Sequence, residues 1–358
     1  MTIFWLTLAS VFILGFFARY AAVPAGGIHY TPVPVIPNRF LIAIAALILA
    51  LVSGLRSNIG DTFNYKDIYE RNDFTWEYIF SEKDYGFGIL QRYLKLLSED
   101  PQILLFTTGI ITNILIVLIL FKYSRMIEIS LFVYITGGFY LVSMNGIRQT
   151  LAAAIMFTAT KFLIERRFLP YALIIVFASF FHQTALVMLP IYFIVGARAW
   201  SKATVGLILI AVVIVFSFEQ FTSILFTAIE DTQYADYKEF NEGGANMLRV
   251  AVALPPLIIA YLGRGKLKKI MPGSDVIINM TLLGLVFLIV STQSWIFARF
   301  SLYFSLYQLI LLSWVIKLFR EKDEKLIYYL ILICYLFYYY YENVVSLNII
   351  YKSDYLIF

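Results

Sequence analysis

Arg56, Arg148 and Arg299 each lie at the edge of an apolar run, and His182 lies within one. A charge at such a position is costly unless it snorkels to the headgroups or is paired. For any single arginine, snorkelling to a lipid phosphate is an adequate explanation. Three of them on one face, beside the only histidine embedded in an apolar stretch, point instead to a shared site. A guanidinium fork suits phosphate oxygens, and a neutral imidazole can take a proton from a hydroxyl. Together they make a cluster of cations with one histidine, a set that could hold an anion beside a proton acceptor. Asp61, Asp84, Glu99 and Asp100 are alternative bases or orienting partners.

The local contexts differ. Ser53-Gly-Leu-Arg56-Ser-Asn-Ile-Gly-Asp61-Thr-Phe-Asn-Tyr65 closes one apolar run. Asn145-Gly-Ile-Arg148-Gln149 opens another, and Gly146 is expected to let the backbone turn tightly before a helix begins. Arg148 would then stand in a first turn, where unpaired N–H groups and the helix dipole favour an anion. Arg299 holds a similar place in Ile296-Phe-Ala-Arg299-Phe-Ser-Leu-Tyr303. Other chemistries find little support. With two histidines and one cysteine, no zinc or iron cluster is possible by spacing. There is no Gly-rich phosphate loop, dinucleotide fingerprint or Gly-x-Ser-x-Gly elbow.

The elements that must position these groups are membrane helices. Hydrophobic residues make up 61% of the 358 and charged residues 14%, against about 45–50% and 25% in soluble proteins. No soluble fold of this size has the interior to hide so much apolar surface. The sequence therefore predicts an all-α polytopic integral membrane protein of about ten to twelve transmembrane helices, with residues 1–358 as one transmembrane domain. The runs fall near 3–19, 39–55, 102–121, 128–143, 147–163, 203–219, 248–263, 276–292, 299–318 and 326–341. Residues 1–19 read as a first helix rather than a signal peptide, since no basic segment precedes the apolar one. The stretch 168–197 carries His182 near its middle and basic residues at both ends. It either crosses twice through short helices or dips in and returns as a re-entrant hairpin.

The positive-inside rule orients the whole. The inner segments then carry a net charge of +11 and the outer ones −6, which together give the chain's +5. That balance explains the basic pI without nucleic acid as a partner. It places His182 and the three arginines on the outer face, with two sizeable outer loops near 56–101 and 219–248. Within the first, residues 84–97 suit a helix lying at the interface.

Four motifs occur in an order and at separations similar to those of the EpsG family. They are Ser53-Gly-Leu-Arg56 with Gly60-Asp61 and Tyr65, Asn145-Gly-Ile-Arg148-Gln149, Phe181-His182-Gln-Thr-Ala-Leu186, and Phe297-Ala-Arg299-Phe300. Glu99-Asp100-Pro-Gln102 and Leu189-Pro-Ile-Tyr192 extend the resemblance, which runs from about residue 38 to 320. Where the family often has Gly-Thr-Asp, this chain has Gly60-Asp61-Thr62. The family is regarded as Wzy-like exopolysaccharide polymerases of bacterial membranes. The resemblance implies a polyprenyl-pyrophosphate-linked oligosaccharide as substrate, glycosyl transfer at the outer face of the cell membrane, and a place in exopolysaccharide or biofilm-matrix synthesis. It implies no cofactor and no metal, and admits a chain-length-regulating membrane protein as a partner. On that reading Arg148 and Arg299 hold the pyrophosphate, His182 is the base and Asp61 a further catalytic group. Arg56, Asn145, Gln149, Tyr65, Asp84, Trp295 and Tyr303 are expected to bind substrate. Trp76, Tyr78, Tyr85 and Trp295 are placed either to stack on sugar rings or to anchor the interface. The rival is a lipid-linked sugar flippase, which should carry its polar groups at the bilayer midplane. Here they gather at one face.

Overall fold

A computed structural model describes residues 1–25, 33–220, 222–223 and 243–356. Among these the chain is helical almost throughout, with one short antiparallel pairing of Val23–Pro24 and Val35–Ile36. The first helix, α1 (Thr2–Tyr20), packs Phe4, Leu8, Val11 and Ala18 into the core. Asn38 caps α2 (Arg39–Gly54), its side chain accepting from the N–H groups of Phe40 and Leu41. A cap of α3 (Thr62–Arg71), α4 (Trp76–Ser81) and α5 (Tyr85–Lys95) follows, and then α6 (Gln102–Tyr123). Asp100 fixes the start of α6 by accepting the Gln102 N–H at 2.9 Å. The helices α2 and α6 approach through small residues. A Cβ on Gly109 would lie 3.0 Å from the Gly54 nitrogen, a spacing typical of close helix packing in membranes.

The polytopic, all-helical architecture is present, but few of the apolar runs form unbroken spans. Thr2–Tyr20, Gln102–Tyr123 and Ile296–Leu318 are long and apolar enough to cross a membrane. Two further pairs qualify only as bent spans. Ile127–Thr136 (α7) and Phe139–Asn145 (α8) meet at 53°, and Met247–Leu262 and Arg264–Ile270 at 86°. The run read at 147–163 becomes α9 (Ile147–Phe157) and α10 (Thr160–Ile164). Eleven residues of α-helix cover only about 17 Å. Gly137-Gly138 breaks the ladder between α7 and α8, with Gly138 at φ 84°. Non-helical backbone at membrane depth is tolerated where protein encloses it.

The stretch 168–197 is a helical hairpin of α11 (Phe168–Ser179), a tight turn Gln183–Val187, and α12 (Met188–Val195). Tyr171 donates to the Met188 carbonyl at 2.7 Å, and Phe168 and Tyr192 meet edge to face at 5.1 Å. Arg166 closes the base by donating to the Tyr192 carbonyl at 2.8 Å. Each arm is shorter than the roughly 30 Å hydrocarbon layer, so by length the hairpin fits a dip and return. His182 lies at its apex.

The segment 56–101 is a folded cap rather than an open loop. Tyr69, Phe74, Ile79, Phe87 and Leu94 form a core of their own with Leu104, Leu105 and Ile147. Lys95 draws the cap together by donating to the carbonyls of Tyr69, Glu70 and Asn72. The expected helix at 84–97 is present as α5, yet it turns Phe87, Gln91 and Leu94 onto protein and leaves Tyr93, Leu96 and Leu97 exposed. The C-terminal segment lies across the start of the cap. Ser57 donates to the Lys352 carbonyl, Asn58 exchanges bonds with Ile350 and Lys352, and Tyr355 donates to Asp100 at 2.8 Å. Most of the second outer loop expected at 219–248 falls outside the described residues. Beyond it run Met247–Leu262 (α13), Ser274–Val290 (α14) and Ile296–Val315 (α15).

Candidate functional site

Three separate pieces of chain meet at the hairpin apex. Asp84, immediately before α5, places Oδ2 3.0 Å from His182 Nδ1 and accepts the Gln183 N–H on Oδ1 at 2.9 Å. Arg148, in the first turn of α9, donates to the same Oδ2 at 3.3 Å. Gly86 makes this approach feasible. Its N–H donates to the Phe180 carbonyl at 2.8 Å, and a Cβ there would sit 2.7 Å from Phe180 Cβ. Any larger residue would force α5 off the hairpin.

The charges fit one another. Burial alone would raise the Asp84 carboxyl, but the bond and charge from His182, the Gln183 N–H and Arg148 outweigh it and hold the group below the usual carboxylate range. Asp84 is therefore an anion and can only accept. The Nδ1 atom must then carry the proton toward Asp84, so that in the neutral ring the lone pair is on Nε2. The side chains of Asp84, His182 and Arg148 are 12%, 21% and 41% exposed, so the carboxylate is the most enclosed and the guanidinium the most open. Tyr65 and Phe87 lie under Arg148, their ring centres 5.9 and 6.0 Å from its guanidinium carbon.

Arg299 joins through backbone and helix contacts. Gln149 donates to the Arg299 carbonyl at 2.8 Å, tying α9 to α15. One turn along α15, the Tyr303 hydroxyl meets Thr184 at 2.6 Å, tying α15 to the hairpin turn. The Arg299 guanidinium stacks over Trp295 at 4.7 Å, and it forms no salt bridge with a carboxylate among the described residues. Arg299 is thus linked through its backbone carbonyl to the helix that carries Arg148 and, through Tyr303 on the same helix, to the hairpin turn.

The other expected site residues fare differently. Arg56 is fully buried, donating to Thr62 Oγ1 at 3.1 Å, the Ser53 carbonyl at 2.5 Å and the Met144 carbonyl at 2.7 Å. It offers no surface to a ligand in this conformation; it ties the end of α2 to the end of α8. Tyr303 is also buried, as is most of Gln149. Asn145 accepts the Asp61 N–H at 2.9 Å, and a Cβ on Gly60 (φ 52°) would collide with its side chain. Two of the sequence motifs therefore brace each other. In Gly60-Asp61-Thr62, Thr62 turns inward onto Arg56 while the Asp61 carboxylate forms no ion pair among the described residues. Gly146 does not play the expected part. Its φ of −81° is open to any residue, and a Cβ there would meet nothing within 4 Å.

Some contributors had no role assigned from the sequence, although Gln102 stands in one of its motifs. Gln102 donates to the carbonyls of Gly54 and Arg56, closing the C-terminal end of α2. The Gln183 N–H and Gly86 act through backbone or close approach, and residue type alone carries no sign of this.

Apolar helices, several of them broken, beneath a polar cluster define a polytopic membrane protein. A model of the EpsG family matches residues 39–355, and the chain belongs to that family, one of Wzy-like polymerases. The match continues past the last sequence motif to take in the C-terminal segment. As a member, the chain is a bacterial membrane protein of the polysaccharide-polymerase kind. No curated protein and no solved structure matches it.

Proposed function

We propose that this protein joins polyprenyl-pyrophosphate-linked oligosaccharide repeat units at the outer face of the bacterial cytoplasmic membrane. The observation that carries the reading is the Asp84–His182 contact at 3.0 Å, with Arg148 on the same carboxylate oxygen. His182 Nε2 takes the proton from a sugar hydroxyl of the incoming unit as that oxygen bonds to the anomeric carbon of the growing chain. The bond from that carbon to the pyrophosphate oxygen breaks, and the lipid pyrophosphate leaves with the electron pair. Arg148 and Arg299 meet the charge that develops on it. Fixed donors in a water-poor site are worth about 100- to 1,000-fold in rate each, and a positioned base about 100- to 10,000-fold. Asp84 holds the imidazole in the basic tautomer. Asp61 and Asn145 face sugar hydroxyls, and Arg56 supports the site from beneath. The outer-face assignment rests on the charge asymmetry between the two sets of loops.

The test is purified protein in nanodiscs with synthetic lipid-pyrophosphate repeat units and no ATP. Longer glycans and released lipid pyrophosphate are expected. Arg148→Lys keeps the charge and loses the fork, so it should lose most product while still inserting. Wild-type product from the Lys variant would remove Arg148 from the pyrophosphate.

A further inference from the structure

A line of aromatic rings leads from the outer cap to the dyad. Trp76 and Phe80 stand one turn apart on α4 and stack at 5.9 Å with an interplanar angle of 20°. Phe80 lies 6.4 Å from Tyr85, and Tyr85 lies 5.0 Å from Phe180. Tyr85 follows Asp84 directly, and Phe180 is two residues from His182. The row therefore ends on the two chain segments that carry Asp84 and the proposed base. Arg92 steadies its far end, lying 4.8 Å over Trp76 while donating to the Phe74 carbonyl.

The outer two rings are open, Trp76 at 44% and Phe80 at 67% exposure. A membrane anchor is a poor account of them. The helix α4 has six residues, and Glu77, Ser81, Glu82 and Lys83 around the rings are all exposed. Sinking the rings into lipid would take those charges with them. Apolar faces set among charged and hydroxyl-bearing side chains match one ligand class well. A sugar ring offers a C–H face to stack on an aromatic and hydroxyls for the polar rim, and the ring spacing is close to the length of a pyranose. Tyr and Trp serve such half-wet contacts generally.

We propose that Trp76, Phe80, Tyr85 and Phe180 form a rail for the growing glycan, leading it away from the reacting carbon and out over the cap. This rests on the polymerase reading above. The growing chain is the occupant because, of the two substrates, it alone becomes long enough to leave the dyad and follow the cap. A chain held on the rail after each joining stays for the next, so the rings govern product length rather than the rate of the first joining.

The test is the double variant Trp76→Ala, Phe80→Ala, both exposed positions, in the nanodisc assay and in calorimetric titration with free fragments of the source strain's own polysaccharide. The first coupling should proceed at the wild-type rate while long products fall severalfold, and the fragments should bind wild type and not the variant. Unchanged product lengths in an active variant overturn the rail and leave the reaction reading intact. Fragments that bind wild type but not the variant, in a protein that never elongates lipid-linked units, overturn the reaction reading and leave the rail. A variant with wild-type products but a weakened hold of the cap on the bilayer, read by protease access, would make the rings an anchor and overturn the proposal.

Discussion

Arg56 and Arg148 carry the same group at comparable places, each at an edge of an apolar run, and their surroundings give them opposite uses. Around Arg56 the protein closes completely, and a hydroxyl and two carbonyls take up its donors. Around Arg148 stand one carboxylate oxygen at 3.3 Å, the Tyr65 side chain, which bonds to it, and the Phe87 ring, and its side chain is still 41% exposed. A buried, fully bonded cation stabilises one conformation; an under-bonded one on an open rim is available to an incoming anion. The difference lies in how many acceptors the fold brings to each guanidinium, and neither charge nor position in the sequence reports that number.

Substitutions that separate chemistry from architecture can break this contrast. The largest effect is expected at His182, where Ala should cut glycan formation by about 100- to 10,000-fold while the melting temperature in detergent stays near wild type. Arg56→Lys should do the reverse. The shorter lysine cannot reach all three acceptors, and a buried hydrogen bond to a charged group is worth about 1.5–3 kcal/mol, read as a lowered melting temperature and poor yield. A stable Arg56→Lys protein that makes no polymer would erase the distinction and return Arg56 to the substrate. Gly86→Ala is intermediate. Overpacking against Phe180 costs about 1–3 kcal/mol, and Asp84 should be displaced from His182, so activity falls further than stability does. Normal elongation by that variant would show that the close approach is dispensable. The smallest effect is on acid stability. Because the folded Asp84 carboxyl is depressed, its contribution is present above the unfolded value of about 3.9 and fades as pH falls through the lower folded value. Melting of wild type and Asp84→Asn should therefore converge as pH is lowered, and parallel curves would refute the coupling.

Much of this site was legible because unusual residues stand out in an apolar sequence. One histidine and three arginines in unusual places drew attention to the segments that the fold brings together around the hairpin apex, and Asp84 was among the carboxylates named as orienting partners. What was not legible depends on direction and distance. Tyr303 ends a motif rich in aromatics, yet its hydroxyl turns to Thr184 and its ring is buried. Gly146 sits before a helix and needs no special backbone, whereas Gly86, in a less conspicuous setting, is the one that lets two segments touch. Hydropathy found the membrane helices but not their breaks, because α7, α8 and α9 are apolar on both sides of each interruption. The cap was read as a loop because its small core is built from aromatics spaced unevenly over α3, α4 and α5.

The strap that stitches Ser57 and Asn58 to Ile350 and Lys352 also sets a timetable. A ribosome delivers the arginines, the hairpin and His182 well before residue 350 exists. Until then the loop carrying Arg56, Gly60 and Asp61 has Gln102, Met144 and Asn145 to hold it but lacks the strap, since contacts so distant along the chain form only after both partners have been made. The helices enter the membrane in order of synthesis, and this wall of the site is the last to be finished.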